Sequence, residues 1–113
     1  MAESETQLVD DWILHAQTFW AATEVSEFSR NDPVRTLDFI LEVLGRQPLP
    51  SVLGNLAAGP LEDLLVYQGP LIIDKVEALA AADPAFRRLL SGVWRNQIRE
   101  DVWERIQRLV PKT

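Results

Sequence analysis

The sequence predicts an all-α protein, and three observations lead to that prediction. Apolar residues recur at spacings of three and four along most of the chain, which is the period of a helix with one buried face. No stretch alternates apolar and polar residues for long enough to predict a strand. Proline follows Asp or Gly at positions 33, 60, 70 and 84, as it does at the first turn of helices. We therefore expect a compact orthogonal or HEAT-like stack of about six to seven short helices, with no sheet.

The first part of the chain is predicted to form two helices. In residues 5–23, apolar positions from Leu8 to Trp20 recur at helical spacing and predict one amphipathic helix of about five turns. A second helix is expected over 33–44, because Asp32 can cap it, Pro33 can begin it and Gly45 can end it in a left-handed conformation. We expect this helix to be central, since most of its circumference is apolar: Val34, Leu37, Phe39, Ile40, Leu41, Val43 and Leu44.

Proline and glycine divide the second part of the chain into shorter predicted helices. After the prolines at 48 and 50 comes a brief apolar segment over 51–58, and further helices are expected to begin at the prolines at 60, 70 and 84. A last helix is expected over about 99–110. In the helix that begins at residue 84, Phe86, Leu90 and Trp94 are four residues apart, so we expect all three to be buried.

Length and composition predict one folded domain over residues 1–113. The chain is 47% hydrophobic and 25% charged, which is typical of globular proteins. It contains no cysteine, which excludes thiol catalysis, disulfides and thiolate metal sites. The N-terminus is acidic rather than basic, and no apolar run approaches the ~18 residues that a membrane span needs. We therefore expect a cytoplasmic protein with no membrane partner.

The charge is unevenly distributed along the chain. The net charge is −6, with an excess of acids over residues 1–32 and 33–83 and an excess of bases over 84–113. A phosphate-binding surface normally belongs to a basic domain, whereas the pI here is about 4.7. We therefore expect no nucleic-acid partner, and interpret the charged ends as surfaces that a protein partner can recognise.

No catalytic or cofactor motif is found in the sequence. His15 is the only histidine, the serines lack a nucleophile-elbow context, and the glycines are scattered rather than gathered into a phosphate loop. Glu62 and Asp63 form the one notable acidic pair. We expect them in the first turn of the helix that begins at residue 60, where carboxylates complement the helix dipole and diverge by about 100°. We therefore expect no cofactor, no metal and no enzymatic activity.

Two adjacent arginines are the other notable feature. Arg87 and Arg88 lie near the start of a predicted helix, where helix polarity slightly disfavours cations. They can pair within the chain, with Glu77 or Asp83, or with a carboxylate of a partner. The candidate partner-binding residues are Asp10, Asp11, Glu62, Asp63, Arg87, Arg88 and Arg95.

Three segments resemble a bacterial family of small helical domains of uncharacterised function. They are LAAGPLEDLL (56–65), IDKVEALAAADPAFRRLLSGVW (73–94) and DVWERIQRLV (101–110), about half of the chain. The resemblance implies a small all-helical domain, often a single-domain bacterial protein. It brings no established catalytic residues.

The leading functional hypothesis is a small acidic protein–protein interaction module. It would be an immunity, antitoxin or inhibitor type of protein whose acidic face binds a basic protein target. One alternative is a self-assembling or scaffold subunit, a homodimer included, in which the basic end of one copy meets the acidic end of another. A second alternative is an enzyme that uses carboxylates and arginines alone, with Asp11, Glu62, Asp63 and Arg87 meeting in a pocket.

Overall fold

The computed structural model describes residues 5–14 and 19–110, and helix is the regular secondary structure found in these ranges. Its helices are α1 (Glu5–Leu14), α2 (Phe19–Asn31), α3 (Pro33–Gly45), α4 (Pro50–Leu56), α5 (Glu62–Ala82), α6 (Pro84–Leu90) and α7 (Glu100–Leu109). A π turn, Ala57–Leu61, joins α4 to α5. The described residues contain no strand, and the prediction of an all-α fold is confirmed. His15 lies outside the described residues.

The single helix predicted over 5–23 is wrong, because α1 and α2 are separate helices that pack against each other. The indole Nε1 of Trp20 donates to Oδ2 of Asp11 at 2.9 Å. In one continuous helix these residues would be about 13.5 Å apart along the axis. Two consecutive amphipathic helices have the same apolar period, so the period alone does not locate the boundary between them.

Helix α3 forms where the sequence predicts it and packs on α1, α2, α5 and α6. Asp32 caps it, since its Oδ1 accepts from the backbone N–H of Arg35 at 3.1 Å. Phe39 is buried and meets the ring of Trp12 edge to face, with centroids 5.4 Å apart. The central position predicted for α3 is therefore confirmed.

Two details of α3 differ from the prediction. Val34, expected inside, is exposed because it lies in the first turn on the side away from the core. Gly45 remains helical, and the residue with positive φ is Gln47, at 50°. The helix therefore ends at Gly45, and the left-handed residue lies two positions beyond it.

Residues 50–82 form one continuous helical run rather than the three short helices predicted from proline and glycine. Pro60 lies inside the π turn, where the N–H of Glu62 reaches back five residues to the carbonyl of Ala57. Proline lacks an N–H and crowds the carbonyl four residues earlier, and the wider π turn accommodates both effects. Pro70 lies inside α5 and does not end it. Counted as one helix, this run makes the fold a six-helix one over the described ranges.

Helix α5 lies at the centre of the core and packs on α2, α3, α6 and α7. The last helix, α7, lies close to α5 at Gly69. A Cβ added at Gly69 would lie 3.1 Å from Cγ2 of Val102, so the absent side chain makes room for α7. Val102 and Ile106, which are one helical turn apart in α7, are both buried.

Helix α6 begins as predicted and ends earlier than predicted. Oδ1 of Asp83 accepts from the N–H of Ala85 at 2.9 Å and caps the helix. The N–H groups of residues 91–93 then bond to carbonyls three residues back rather than four, which closes the helix after Leu90. Trp94 therefore lies beyond the helix and is 74% exposed, so its predicted burial is wrong. The four-residue spacing from Phe86 stops applying where the helix stops.

Candidate binding groove

An apolar groove of about 340 Å³ lies between α4 and α6. It is bounded by the end of α3, the loop over 46–49, α4, the first residue of the π turn, α6 and the two residues that follow α6. Its walls are mostly aliphatic or small residues: Leu44, Gln47, Pro48, Leu53, Gly54, Ala57, Ala85, Arg88, Leu89, Ser91 and Gly92. The set contains one charged side chain, Arg88.

Small residues keep this groove open. A Cβ added at Gly54 would meet no atom within 4 Å, so the α4 wall is free of contacts at this residue. A Cβ added at Gly92 would lie 3.4 Å from Cβ of Ala57, so the chain after α6 approaches the π turn closely. Gly54 therefore leaves open space at the α4 wall, whereas Gly92 brings the chain after α6 against Ala57.

Arg88 is exposed, and its guanidinium makes no hydrogen bond or ion pair with any of the described residues. Most other arginines of the described ranges are engaged. Six of them donate to carboxylate or carbonyl oxygens: Arg35, Arg46, Arg87, Arg95, Arg99 and Arg105. Arg88, whose guanidinium is unpaired, thus belongs to the wall of an apolar concavity, and a guanidinium can form paired hydrogen bonds to an added carboxylate.

Of the alternatives left open for Arg87 and Arg88, pairing with Glu77 or Asp83 is not found. Nη1 of Arg87 donates to the carbonyl of Ala80 at 2.8 Å, which ties α6 to the end of α5. Glu77 instead binds Arg105 of α7, and Asp83 caps α6. Both acids are therefore engaged elsewhere.

Residues 91–99 connect α6 to α7 and leave Trp94 in solvent. Val93 and Ile98 are buried and hold the connection to the core. Nε of Arg95 donates to the carbonyl of Ile98 at 3.4 Å, and Asn96 has a positive φ of 42°. Trp94 follows the groove residue Gly92 by two positions, so an exposed indole lies near the groove along the chain.

The acidic candidates of α1 are bound within the chain. Asp10 forms an ion pair with Arg46, which follows α3. Asp11 accepts from Nε1 of Trp20 and from Nε2 of Gln7, both at 2.9 Å. These carboxylates hold α1 to its neighbours. A partner that bound them would have to compete with these internal hydrogen bonds.

Glu62 and Asp63 both line one cavity of about 510 Å³, although the sequence predicts that their side chains diverge. Glu62 accepts from Nδ2 of Asn96 at 2.9 Å. The carboxyl of Asp63 makes no hydrogen bond within the described ranges, and its partial burial raises its pKa, although the charge of Arg30 opposes the rise. Both residues lie in the first turn of α5, as predicted. The π turn precedes them, and the N–H of Glu62 already bonds to the carbonyl of Ala57, so α5 does not begin there with the free N–H groups that the predicted dipole interaction requires.

Residues 10–113 match the sequence profile of a known family, described as a family of unknown function, DUF6869. The chain belongs to this family. The match confirms the resemblance seen in the second half of the sequence and extends it through most of the first half. No curated protein and no solved structure matches the chain.

Across residues 5–14 and 19–110, no helix has the length and apolarity to cross a membrane. The same ranges hold no group of three or more His, Cys, Asp or Glu side chains that are placed to hold a metal ion.

The groove of this DUF6869 chain was missed by sequence reasoning. Its glycines, Gly54 and Gly92, are 38 positions apart, and neither belongs to a motif. Arg88 was identified as a candidate, but its lack of a partner depends on where Glu77 and Asp83 are engaged. The one signal of the groove in the sequence was the presence of Gly54 and Gly92 in segments that are mostly apolar.

Proposed function

We propose that this protein is a protein–protein interaction module that binds its partner through the groove between α4 and α6. The observation that carries the proposal is an unpaired guanidinium, Arg88, on the wall of an apolar concavity. Burying apolar surface supplies binding free energy, and arginine and tryptophan are the residues that most often dominate it.

The proposed docking surface differs from the acidic face suggested by the sequence. Asp10, Asp11 and Glu62 already accept hydrogen bonds within the chain, so a partner would have to compete for them. The guanidinium of Arg88 has no internal hydrogen bond that a partner would have to replace. The net charge of −6 still acts at long range and speeds the approach of a basic partner, whereas the contact itself is formed at the groove.

The proposed role is that of an inhibitor, of the immunity or antitoxin type, that occupies a surface of another protein. A chain of 113 residues is large enough to present one such surface. Support comes from the concentration of apolar area and free charge at one concavity, while the other arginines are mostly bound internally.

Affinity capture with a groove-filling variant tests this proposal. Gly54→Leu places a side chain where an added Cβ meets nothing within 4 Å, so it should fold and obstruct the groove. Ala78→Leu is the matched control, because it adds the same side chain to an exposed residue of α5 that does not line the groove. Circular dichroism and thermal melting first establish that both variants are folded.

We expect the wild type and Ala78→Leu to capture the same stoichiometric partner from the source cell at low salt, and Gly54→Leu to lose it. Absence of any stoichiometric partner of the wild type would overturn the proposal, as would equal capture by Gly54→Leu. Sedimentation at tens of micromolar tests the self-assembly alternative. A dimer that Gly54→Leu dissociates would make a second copy of this chain the occupant and replace the inhibitor proposal.

A further inference from the structure

We infer that the groove takes a helix of the partner protein, with apolar side chains in the groove and a carboxylate on Arg88. This inference rests on the proposed function and specifies the chemistry of the partner. It follows from two properties of the groove, its main-chain hydrogen bonding and its charge.

Main-chain hydrogen bonding favours a helical occupant over an extended one. Two groove walls are helices whose backbone groups are paired internally, and the described residues contain no strand edge to which an extended peptide could add. At the end of α6, the N–H groups of Ser91 and Gly92 already donate to the carbonyls of Arg88 and Leu89. An extended segment would bury its own backbone groups with few partners, whereas a helix satisfies most of them itself.

Charge complementarity favours a carboxylate beside the apolar side chains of that helix. Arg88 is the one charged residue among the groove-lining residues, and it has no partner in the described part of the chain. The hydroxyl of Ser91 is engaged, because it donates to the carbonyl of Arg88 at 2.5 Å. A guanidinium binds a carboxylate through two parallel hydrogen bonds, and covering it with an apolar segment alone would leave a buried charge unpaired.

The size of the groove suits side chains from one helix face. Its volume, about 340 Å³, lies at the low end of the range of ligand pockets, roughly 300–1,000 Å³. Helical anchors spaced by three and four residues lie on one side of a helix, and a carboxylate one turn away would then be within reach of Arg88. We therefore expect the recognised segment to contain a few aliphatic or aromatic anchors and one nearby Asp or Glu.

A peptide selection tests both parts of the inference. The probe is a displayed library of helix-forming peptides of about 16 residues, with apolar residues at i, i+3, i+4 and i+7 and random residues elsewhere. Clones that bind Gly54→Leu are removed first, so those that remain depend on the open groove. The targets are the wild type, Arg88→Glu and the control Arg108→Glu, which makes the same charge change at an exposed residue of α7 outside the groove.

We expect the wild type and Arg108→Glu to select Asp or Glu at one position of the peptide, and Arg88→Glu to select Lys or Arg there. A peptide selected on the wild type should bind Arg88→Glu about tenfold more weakly or worse, as measured by fluorescence anisotropy, and bind Arg108→Glu nearly as well as the wild type. Circular dichroism of the complex should show the peptide to be helical.

Several results would overturn the inference and leave the proposed function standing. If the groove-dependent peptides show no preference for Asp or Glu, the carboxylate part of the inference is wrong. If Arg108→Glu weakens peptide binding as much as Arg88→Glu does, the effect comes from net charge and not from Arg88. The helical part of the inference is wrong if groove-dependent peptides bind without becoming helical. It is also wrong if Gly54→Leu loses a cellular partner but no peptide of the library binds the wild type. Failure of Gly54→Leu to affect any binding would overturn both proposals together.

Discussion

Glycine and arginine have opposite roles at two helix pairs of this molecule. Between α5 and α7, Gly69 lets Val102 approach so closely that an added Cβ would lie 3.1 Å from it, and Arg105 crosses the contact to bind acids of α5. Between α4 and α6, a Cβ at Gly54 would meet nothing within 4 Å, and Arg88 has no partner in the described part. The first pair is closed and the second is open.

The difference lies in what faces each residue. Nε of Arg105 is 2.8 Å from Glu77, and its Nη2 is 2.7 Å from Asp74, so the two acids fix the guanidinium from α5. The acids nearest to Arg88 in sequence are engaged elsewhere. A closed contact contributes to folding, whereas an open one with unpaired groups remains available for binding.

The largest expected effect is the difference between a buried residue of α6 and an exposed residue that follows the helix. Phe86 is fully buried, so Phe86→Ala should lower the free energy of unfolding by about 3–5 kcal/mol. Trp94 is 74% exposed, and Trp94→Ala should change it by less than about 0.5 kcal/mol. Urea unfolding measures both values. Similar losses for the two variants would mean that the indole is packed in solution.

The second prediction concerns the glycines of the two helix pairs. Gly69→Val should lower the free energy of unfolding by about 1–3 kcal/mol, because its branched side chain meets Val102. Gly54→Ala should raise it by about 0.5–1 kcal/mol, since alanine favours the helix and fits without a clash. Thermal melts of both variants give the comparison. If the two changes had the same sign, the distinction between closed and open contacts would not hold.

The third prediction concerns the ion pair of the closed contact. The Arg105 guanidinium lowers the pKa of the Glu77 carboxyl, so the folded state favours the ionised acid. The stabilisation is therefore present above the ordinary value of 4.5 and is lost as the pH falls through the lowered pKa. Arg105→Gln should lower the urea midpoint at pH 7, and the difference from the wild type should shrink in acid.

Arg108→Gln is the control for this measurement, since Arg108 is an exposed residue of the same helix. We expect it to change the urea midpoint less than Arg105→Gln does at pH 7. A difference between Arg105→Gln and the wild type that stays constant from pH 7 to pH 3 would show that the arginine acts through packing of its aliphatic part.

The smallest expected effect concerns Asp63, a carboxyl of α5 that lacks such a cation contact. Burial raises the pKa of Asp63, so its favourable contribution is complete below the ordinary value of 3.8 and is lost as the pH rises through the folded value. Asp63→Asn should therefore raise the free energy of unfolding at pH 7 by less than about 0.5 kcal/mol, with no gain at pH 3. A loss at pH 7 in chemical denaturation would show that the Asp63 carboxylate is stabilised by a neighbouring cation such as Arg30.

The sequence by itself determined the helical class and those elements whose signals are local. Helix α3 could be predicted because Asp32, Pro33 and an apolar face lie within a few residues of each other. The start of α6 at Asp83 and Pro84 could be predicted for the same reason, since a cap and the first turn form among neighbours in the chain. Buried faces followed from the helical period wherever the helix itself continued, as for Val102 and Ile106 of α7.

Only the tertiary structure decided where helices end without a local signal and which groups face each other. Pro60 and Pro70 did not break the run over 50–82: a π turn accommodates Pro60, and α5 continues through Pro70. Trp94 became exposed because α6 closed after Leu90. The groove and the unpaired Arg88 depend on atoms from segments far apart in sequence. Local propensity sets the conformation of each segment, whereas contacts between segments depend on how all of them pack, which no single segment specifies.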